Sequence, residues 1–233
     1  RLYGGDSEMR IQQEMVLGIG GVRALRAMGV DPAVCHMNEG HSALLGMERI
    51  QTLMTEHGAT FAEARLPVSS ATTFTTHTAV AAGIDLFPPD LVARYLGEYA
   101  SGMGLDRGAL IGLGRTNPGD DTEPFSMAML GLRLSGFRNG VSKLHRMVSQ
   151  RLWESAWPTL PLDQIPIEAV TNGVHLPTWV AHEAGDRDDR HIGEAIRWQP
   201  PEAPYPFHDF TSSPLSAGVG TAPPDEQVAE RIP

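Results

Sequence analysis

The sequence predicts an α/β fold with a parallel sheet flanked by helices, on three observations. Short apolar or β-branched runs alternate with longer stretches whose apolar residues recur at every third or fourth position. Four polar-rich motifs fall where a strand or loop hands over to a helix, the places where α/β proteins display ligand-binding groups. No internal repeat is visible that would suggest a solenoid.

The elements follow in order. After Asp6, apolar positions at Met9, Met15, Val16, Ile19, Val22 and Leu25 mark a helix, with Asp6 or Ser7 as N-cap and Gly29 as the stop. Residues 32–37 read as a short buried strand. A second helix spans 41–57, with Leu44, Leu45, Met47, Ile50, Leu53 and Met54 on its apolar side and Gly58 closing it. Residues 71–76 are rich in β-branched side chains and predict another strand. Pro88-Pro89-Asp90 opens a helix carrying Leu91, Val92, Tyr95 and Leu96, since proline suits a first turn. Asn117-Pro118-Gly119-Asp120-Asp121 is a turn-rich loop. Residues 125–134 predict a buried helix, 139–153 another helix, and 167–170 a short strand leading to Thr171-Asn172-Gly173.

From Gly185 the hydrophobic periodicity is lost, and eight of the eighteen prolines lie from Pro200 onward. Two regions are therefore expected: 1–183 as part of a folded domain, and 184–233 as an irregular, disordered Pro-rich tail. The loss of pattern also suits an out-of-frame terminus. The chain opens on Arg1 and runs straight into Leu2-Tyr3, which reads as the middle of a longer protein.

Composition narrows the function. The 233 residues are 41% hydrophobic and 20% charged, as in a globular protein with a real core. A formal charge of −10 argues against a nucleic-acid surface, while helix N-termini and a few placed cations could still take small anions. No apolar stretch is long enough to span a bilayer and no signal-peptide pattern opens the chain. The single cysteine, Cys35, lies in an apolar run and reads as a buried, inert thiol, from which a cytoplasmic setting follows.

The motifs Tyr3-Gly4-Gly5-Asp6 with Glu8-Met9-Arg10, His36-Met37-Asn38-Glu39-Gly40-His41, Thr75-Thr76-His77-Thr78, Asn139-Gly140-Val141-Ser142-Lys143-Leu144-His145 and Thr171-Asn172-Gly173-Val174-His175 resemble those of the α-glucan (glycogen/maltodextrin) phosphorylases. The bacterial form is the closer match. The similarity runs over about 1–180, with all five motifs in the family's order. It implies a partial GT-B (Rossmann-like) domain, the second half of the N-terminal domain. It also implies a parent enzyme that transfers the terminal α-1,4-linked glucosyl unit of a glucan to inorganic phosphate, giving glucose 1-phosphate. Pyridoxal 5'-phosphate would be the cofactor, on a lysine of a C-terminal domain outside this chain. The phosphate clamp would likewise lie beyond its end, and a phosphate-closing glycine loop before its start. Homo-oligomerisation of the parent is left open.

By that resemblance Asp6 matches an acidic residue of a gate loop beside the glucosyl site, and Arg10 a basic residue behind it. Glu39 and His41 match groups lining the pocket near the anomeric carbon, and Asn139 and Gly140 a turn near the sugar hydroxyls. The chain departs from the animal enzymes where a sugar-contacting histidine gives way to Gly136, with Ser135 before it and Arg138 after.

Each residue also has a plainer reading. Glycosyl transfer through an oxocarbenium-like state wants carboxylates near the anomeric carbon and neutral donors on the hydroxyls, which Asp6, Glu39, His41 and His77 could supply. Asp6 alone would be an N-cap, and Glu39 and His41 would be helix-terminus partners. His77 could be satisfied by backbone groups as readily as by substrate. Lys143 reads as a solvated lysine that could face an anion. Gly18-Ile19-Gly20-Gly21 follows helical sequence, so close helix packing explains it better than a dinucleotide loop. Nine histidines make a metal site the non-family enzyme alternative, but no His-Glu-x-x-His pattern occurs. The remaining alternatives are a non-catalytic carbohydrate-binding fragment and a retaining glycosyltransferase of the glycogen synthase type.

Overall fold

The computed structural model describes residues 5–173, which fall in a compact unit assigned to Arg1–Gly173. The expected Pro-rich tail at 184–233, and the boundary before it, lie outside the described residues.

Four strands form one parallel sheet: β1 (Cys35–Asn38), β2 (Thr72–Thr76), β5 (Phe137–Gly140) and β6 (Glu168–Ala169), in the order β1-β2-β5-β6. Asn38, Thr75, Asn139 and Glu168 lie side by side across it. A separate antiparallel pair joins β3 (Leu86–Phe87) to β4 (Phe125–Ser126). Because the four main strands run the same way, their C-terminal ends and the loops leaving them share one edge.

The first helical stretch runs as α1 (Ser7–Met15), a π-helical turn at Val16–Gly20 and α2 (Gly21–Ala27). Asp6 caps it, its Oδ1 accepting from the Met9 N–H at 2.9 Å, and Gly29 follows with φ +74°. Gly18 sits where a Cβ would lie 2.7 Å from the Leu45 nitrogen, so close helix packing explains that glycine, whereas a Cβ at Gly21 would meet nothing within 4 Å. The second predicted helix starts with a 3₁₀ turn at Gly40–Ser42 and continues as α3 (Leu44–His57), closed by Gly58 in the left-handed conformation.

α4 (Phe61–Ser70), which the periodicity did not predict, opens with a Thr60–Glu63 capping box and tolerates Pro67 in its interior. α5 (Pro89–Ser101) begins with its proline in the first turn, as expected. α6 (Arg107–Leu113), also unpredicted, is capped by Asp106, which accepts from the Ala109 N–H at 2.7 Å. The apolar stretch from Phe125 divides: two residues pair in β4, and α7 (Met127–Arg133) follows.

One expectation is overturned. Residues 137–140 form a strand at the middle of the sheet, and helix α8 (Lys143–Leu152) starts only after Ser142, whose hydroxyl caps it by accepting from the His145 N–H at 3.0 Å. The pairing of Thr75 with Asn139 fixes the strand. Its pattern misleads because Phe137 is 65% exposed while Asn139 is 8% exposed.

The core lies between the sheet and helices α3 and α7. Met37 and Phe74 are fully buried on that face. Gly46 of α3 lets the Met37 and Leu134 side chains close in, and Gly131 of α7 does the same for the Phe74 ring. Leu44, Met47, Ile50, Met127 and Met129 fill the layer. α8 packs beside β5 and β6, and Gln150 donates to the carbonyl of Ile165 at 3.0 Å.

The turn-rich 114–124 loop is organised from within. Arg115, 5% exposed, donates to the carbonyls of Glu123 and Asp121 and to the Asp121 carboxylate at 2.8, 3.1 and 3.0 Å. The Glu123 carboxylate accepts from the N–H groups of Thr116 and Asn117, and Arg133 donates to the Arg115 carbonyl at 2.7 Å.

Candidate functional site

A cleft of about 330 Å³ opens at the edge where the parallel strands end. Arg10, Glu39, His41 and His77 all line it, with Thr76, Thr78, Asp85 and Trp153. Glu39 and His41 leave β1, the Thr76–Thr78 segment leaves β2, Arg10 projects from α1, and Asp85 precedes β3.

Glu39 organises this edge. It is the one non-glycine residue of positive φ (68°) among the described residues, a strained conformation for a side-chain-bearing residue. Its Oε1 accepts from the His77 N–H, from the Thr78 N–H at 2.8 Å and from the Thr78 hydroxyl at 3.2 Å. The same carboxylate that faces the cleft thus ties the end of β1 to the turn after β2. Gly40 must be a glycine here, because a Cβ would lie 2.6 Å from the Ala128 nitrogen.

His145 completes the turn from the other side. Its Nδ1 accepts from the Val141 N–H at 3.2 Å, which leaves Nε2 to carry the proton and donate to the Thr78 carbonyl at 3.3 Å. The His77 ring bonds the Asn38 side-chain carbonyl at 2.7 Å through Nε2. A second polar line runs inside the sheet, from the His36 ring to the Thr75 hydroxyl at 2.7 Å and from that hydroxyl to Asn139 Oδ1 at 2.8 Å.

The electrostatics of the cleft are uneven. Burial lowers the His41 pKa from its ordinary value, with Arg10 acting the same way against Glu39 and Asp85, so the ring stays neutral near pH 7. Arg10 donates to Glu14 at 3.1 Å and to Asp85 at 2.5 Å. Burial, reinforced by the Asp85 charge, raises Glu14 to about 8.

Not every expected site residue reaches the cleft. Asp6 is exposed at the head of α1 as its N-cap and is not among the lining residues. Asn139 and Gly140 stand one strand behind, buried. Gly140 lets α8 approach, since a Cβ would fall 2.7 Å from His145 Nδ1. At Gly136 a Cβ would lie 2.7 Å from the Ser69 carbonyl oxygen. Arg138 does not take over there: it donates to the carbonyls of Leu132 and Ser135 and lies over the Trp157 ring. Cys35 is buried, and burial raises its thiol pKa.

Sequence reasoning passed over Asp85 and Trp153. Asp85 sits in a loop without a motif, and Trp153 marks only the end of the helix predicted over 139–153. The Val174-His175 end of the fifth motif lies outside the described residues. Among the described residues, no group of three or more His, Cys, Asp or Glu is placed to hold a metal ion, and no helix is long and apolar enough to cross a membrane.

Comparison with known proteins finds relatives over much of the chain. No family model matches the chain. It is 44% identical over 196 residues to the maltodextrin phosphorylase of Thermococcus litoralis, an alignment covering 84% of this chain and 23% of that protein. It is 48% identical over 192 residues to the glycogen phosphorylase of Mycobacterium tuberculosis (78% and 22%), and 32% identical over 194 residues to that of Aquifex aeolicus (83% and 27%). The chain thus spans about a quarter of the length of the curated relatives it matches. By name these relatives are phosphorylases. Over the aligned stretch the chain is homologous to a segment of the glycogen and maltodextrin phosphorylases.

Proposed function

We propose that residues 1–183 form part of the glucan-side, GT-B-type N-terminal domain of an α-glucan phosphorylase. The parent protein would transfer the terminal α-1,4-linked glucosyl unit of glycogen or maltodextrin to inorganic phosphate, giving glucose 1-phosphate in the cytoplasm. The observation that carries this reading is the gathering of Arg10, Glu39, His41 and His77 on one cleft at the strand ends. Similarity to phosphorylases over about four-fifths of the chain supports a glucan as the ligand of that cleft.

In this reading His41, neutral through burial, and His77 offer ring nitrogens to the sugar hydroxyls. Glu39 fixes the backbone on which His77 is displayed and adds negative charge where an oxocarbenium-like state would develop positive charge. Asp6 and the Asn139-Gly140 end of β5 would act at the margin of the site, moving toward it on glucan binding.

The residues present do not make a pyridoxal phosphate site. That cofactor needs a lysine for its Schiff base. The sequence has one lysine, Lys143, which is exposed at the start of α8 and does not line the cleft. The cofactor lysine and the phosphate-binding cations are therefore assigned to a C-terminal domain of the parent, which is also the chain's expected partner. Titrating the labelled chain with maltoheptaose tests the glucan half of the reading. Shifts confined to the amides of residues 39–41 and 76–78 are expected, and their absence at millimolar sugar would refute it.

A further inference from the structure

Arg10, Glu14 and Asp85 form a cluster beside the cleft in which charge does not balance. Glu14 projects from α1 with 1% of its side chain exposed, and one of its oxygens accepts from Arg10 Nη2 at 3.1 Å. Its other oxygen, Oε2, is buried without a hydrogen-bond partner among the described residues. The Asp85 carboxylate, 46% exposed, accepts from the same Arg10 nitrogen at 2.5 Å. One guanidinium thus serves two carboxyl groups, one of them out of water.

Among the described residues, the neighbours that act on Glu14 and His41 supply no second positive charge. His41, from the turn after β1, feels both Arg10 and Asp85 but is held toward its neutral form by burial. Glu39 behind it adds a negative charge. On the α5 side, Arg94 and Tyr95 are engaged with Glu8, and the Tyr95 hydroxyl also accepts from Gln12. Leaving a buried carboxylate oxygen unpaired is unfavourable, because the charge has lost water and gained no donor. A proton on it removes that cost and creates a donor.

We propose that Glu14 and Asp85 share one proton, with Glu14 Oε2–H donating to the Asp85 carboxylate, and that this acid pair, clamped by Arg10, latches α1 to the turn before β3. Burial and the proximity of Asp85 both push Glu14 toward the protonated form, which agrees with the geometry. The latch also has a place in the architecture. Arg10 and Asp85 line the cleft, whereas Arg10 and Glu14 line a second, largely apolar recess of about 450 Å³ along α1. The shared proton therefore closes the partition between the two. The latch does not depend on the reaction proposed for the parent.

The test is the titration of Glu14 by carbon NMR in the full chain labelled on its glutamate carboxyls, with Glu14→Gln identifying the signal. A step near pH 8 is expected, while a step in the ordinary range near 4.5 overturns the proposal. Asp85→Asn should lower that midpoint by at least about one unit, and an unmoved midpoint overturns the sharing. Glu14→Gln keeps a neutral donor at the same place. Its amides at 81–85 should therefore stay protected at about pH 9, where those of the parent sequence exchange roughly tenfold faster after correction for intrinsic rates. Equal exchange in the two overturns the latch.

Discussion

Glu39 and His145 hold the same residue from opposite sides: the carboxylate takes the Thr78 N–H and the imidazole reaches the Thr78 carbonyl. The turn that carries His77 is thus fastened to the end of β1 and to the head of α8. Polar side chains thus tie the cleft wall together across separate elements of the fold.

Removing the carboxylate should loosen that wall. Glu39→Ala leaves two main-chain N–H groups without their acceptor and should cost about 2 kcal/mol in urea unfolding. Glu39→Gly should cost less than Glu39→Ala, because glycine relieves the positive φ that the glutamate endures. Similar losses for both would show that the strain is unimportant.

Stability should depend on pH through Glu14. Its folded-state pKa of about 8 exceeds the ordinary 4.5, so between these values the folded chain holds a proton that the unfolded chain has released. Raising pH across that window must therefore lower stability. Urea midpoints measured through it should fall in the parent sequence and stay flatter in Glu14→Gln.

His41 acts in the opposite sense. Its pKa is lowered by burial, so the folded chain binds fewer protons than the unfolded one just below the ordinary histidine value, and stability contributed by its neutral ring is lost as pH falls. His41→Gln should remove that acid-side loss, read as a smaller drop in thermal midpoint on acidification.

The chain by itself should form no glucose 1-phosphate from maltodextrin and phosphate, even with pyridoxal phosphate added. Its single lysine is far from satisfying the cofactor's need at the cleft. A chromatographic assay sensitive to one turnover checks this, and any enzyme-dependent product contradicts it.

Gly18→Ala should destabilise by about 1–3 kcal/mol, because the new methyl meets the α3 backbone rather than a yielding side chain. Gly21→Ala, with nothing within 4 Å of the added carbon, is the matched control and should be neutral or better.

Much of this was readable along the chain. α3 and α5 announce themselves by apolar spacing, by proline at the start of one and by a left-handed glycine at the end of the other. β5 does not, because a strand between two partners can bury Asn139 and leave Phe137 outside. Asn-Gly in that setting imitates a turn. α4 was hidden by Pro67, whose missing N–H a helix can survive when its cap is strong. Of the candidate site, Arg10, Glu39, His41 and His77 were found by motif. Asp85 was not, since it meets Arg10 only through the fold, 75 residues away in sequence.

The Arg115 hub has a practical meaning for anyone dissecting this protein. Asn117-Pro118-Gly119-Asp120-Asp121 reads as an inviting place to cut the chain or splice in a tag. Yet a guanidinium spokes inward to carbonyls on its return arm, and Glu123 staples its outgoing one. Opening the backbone there would unpick a wheel rather than trim a fringe, so limited digestion should spare it.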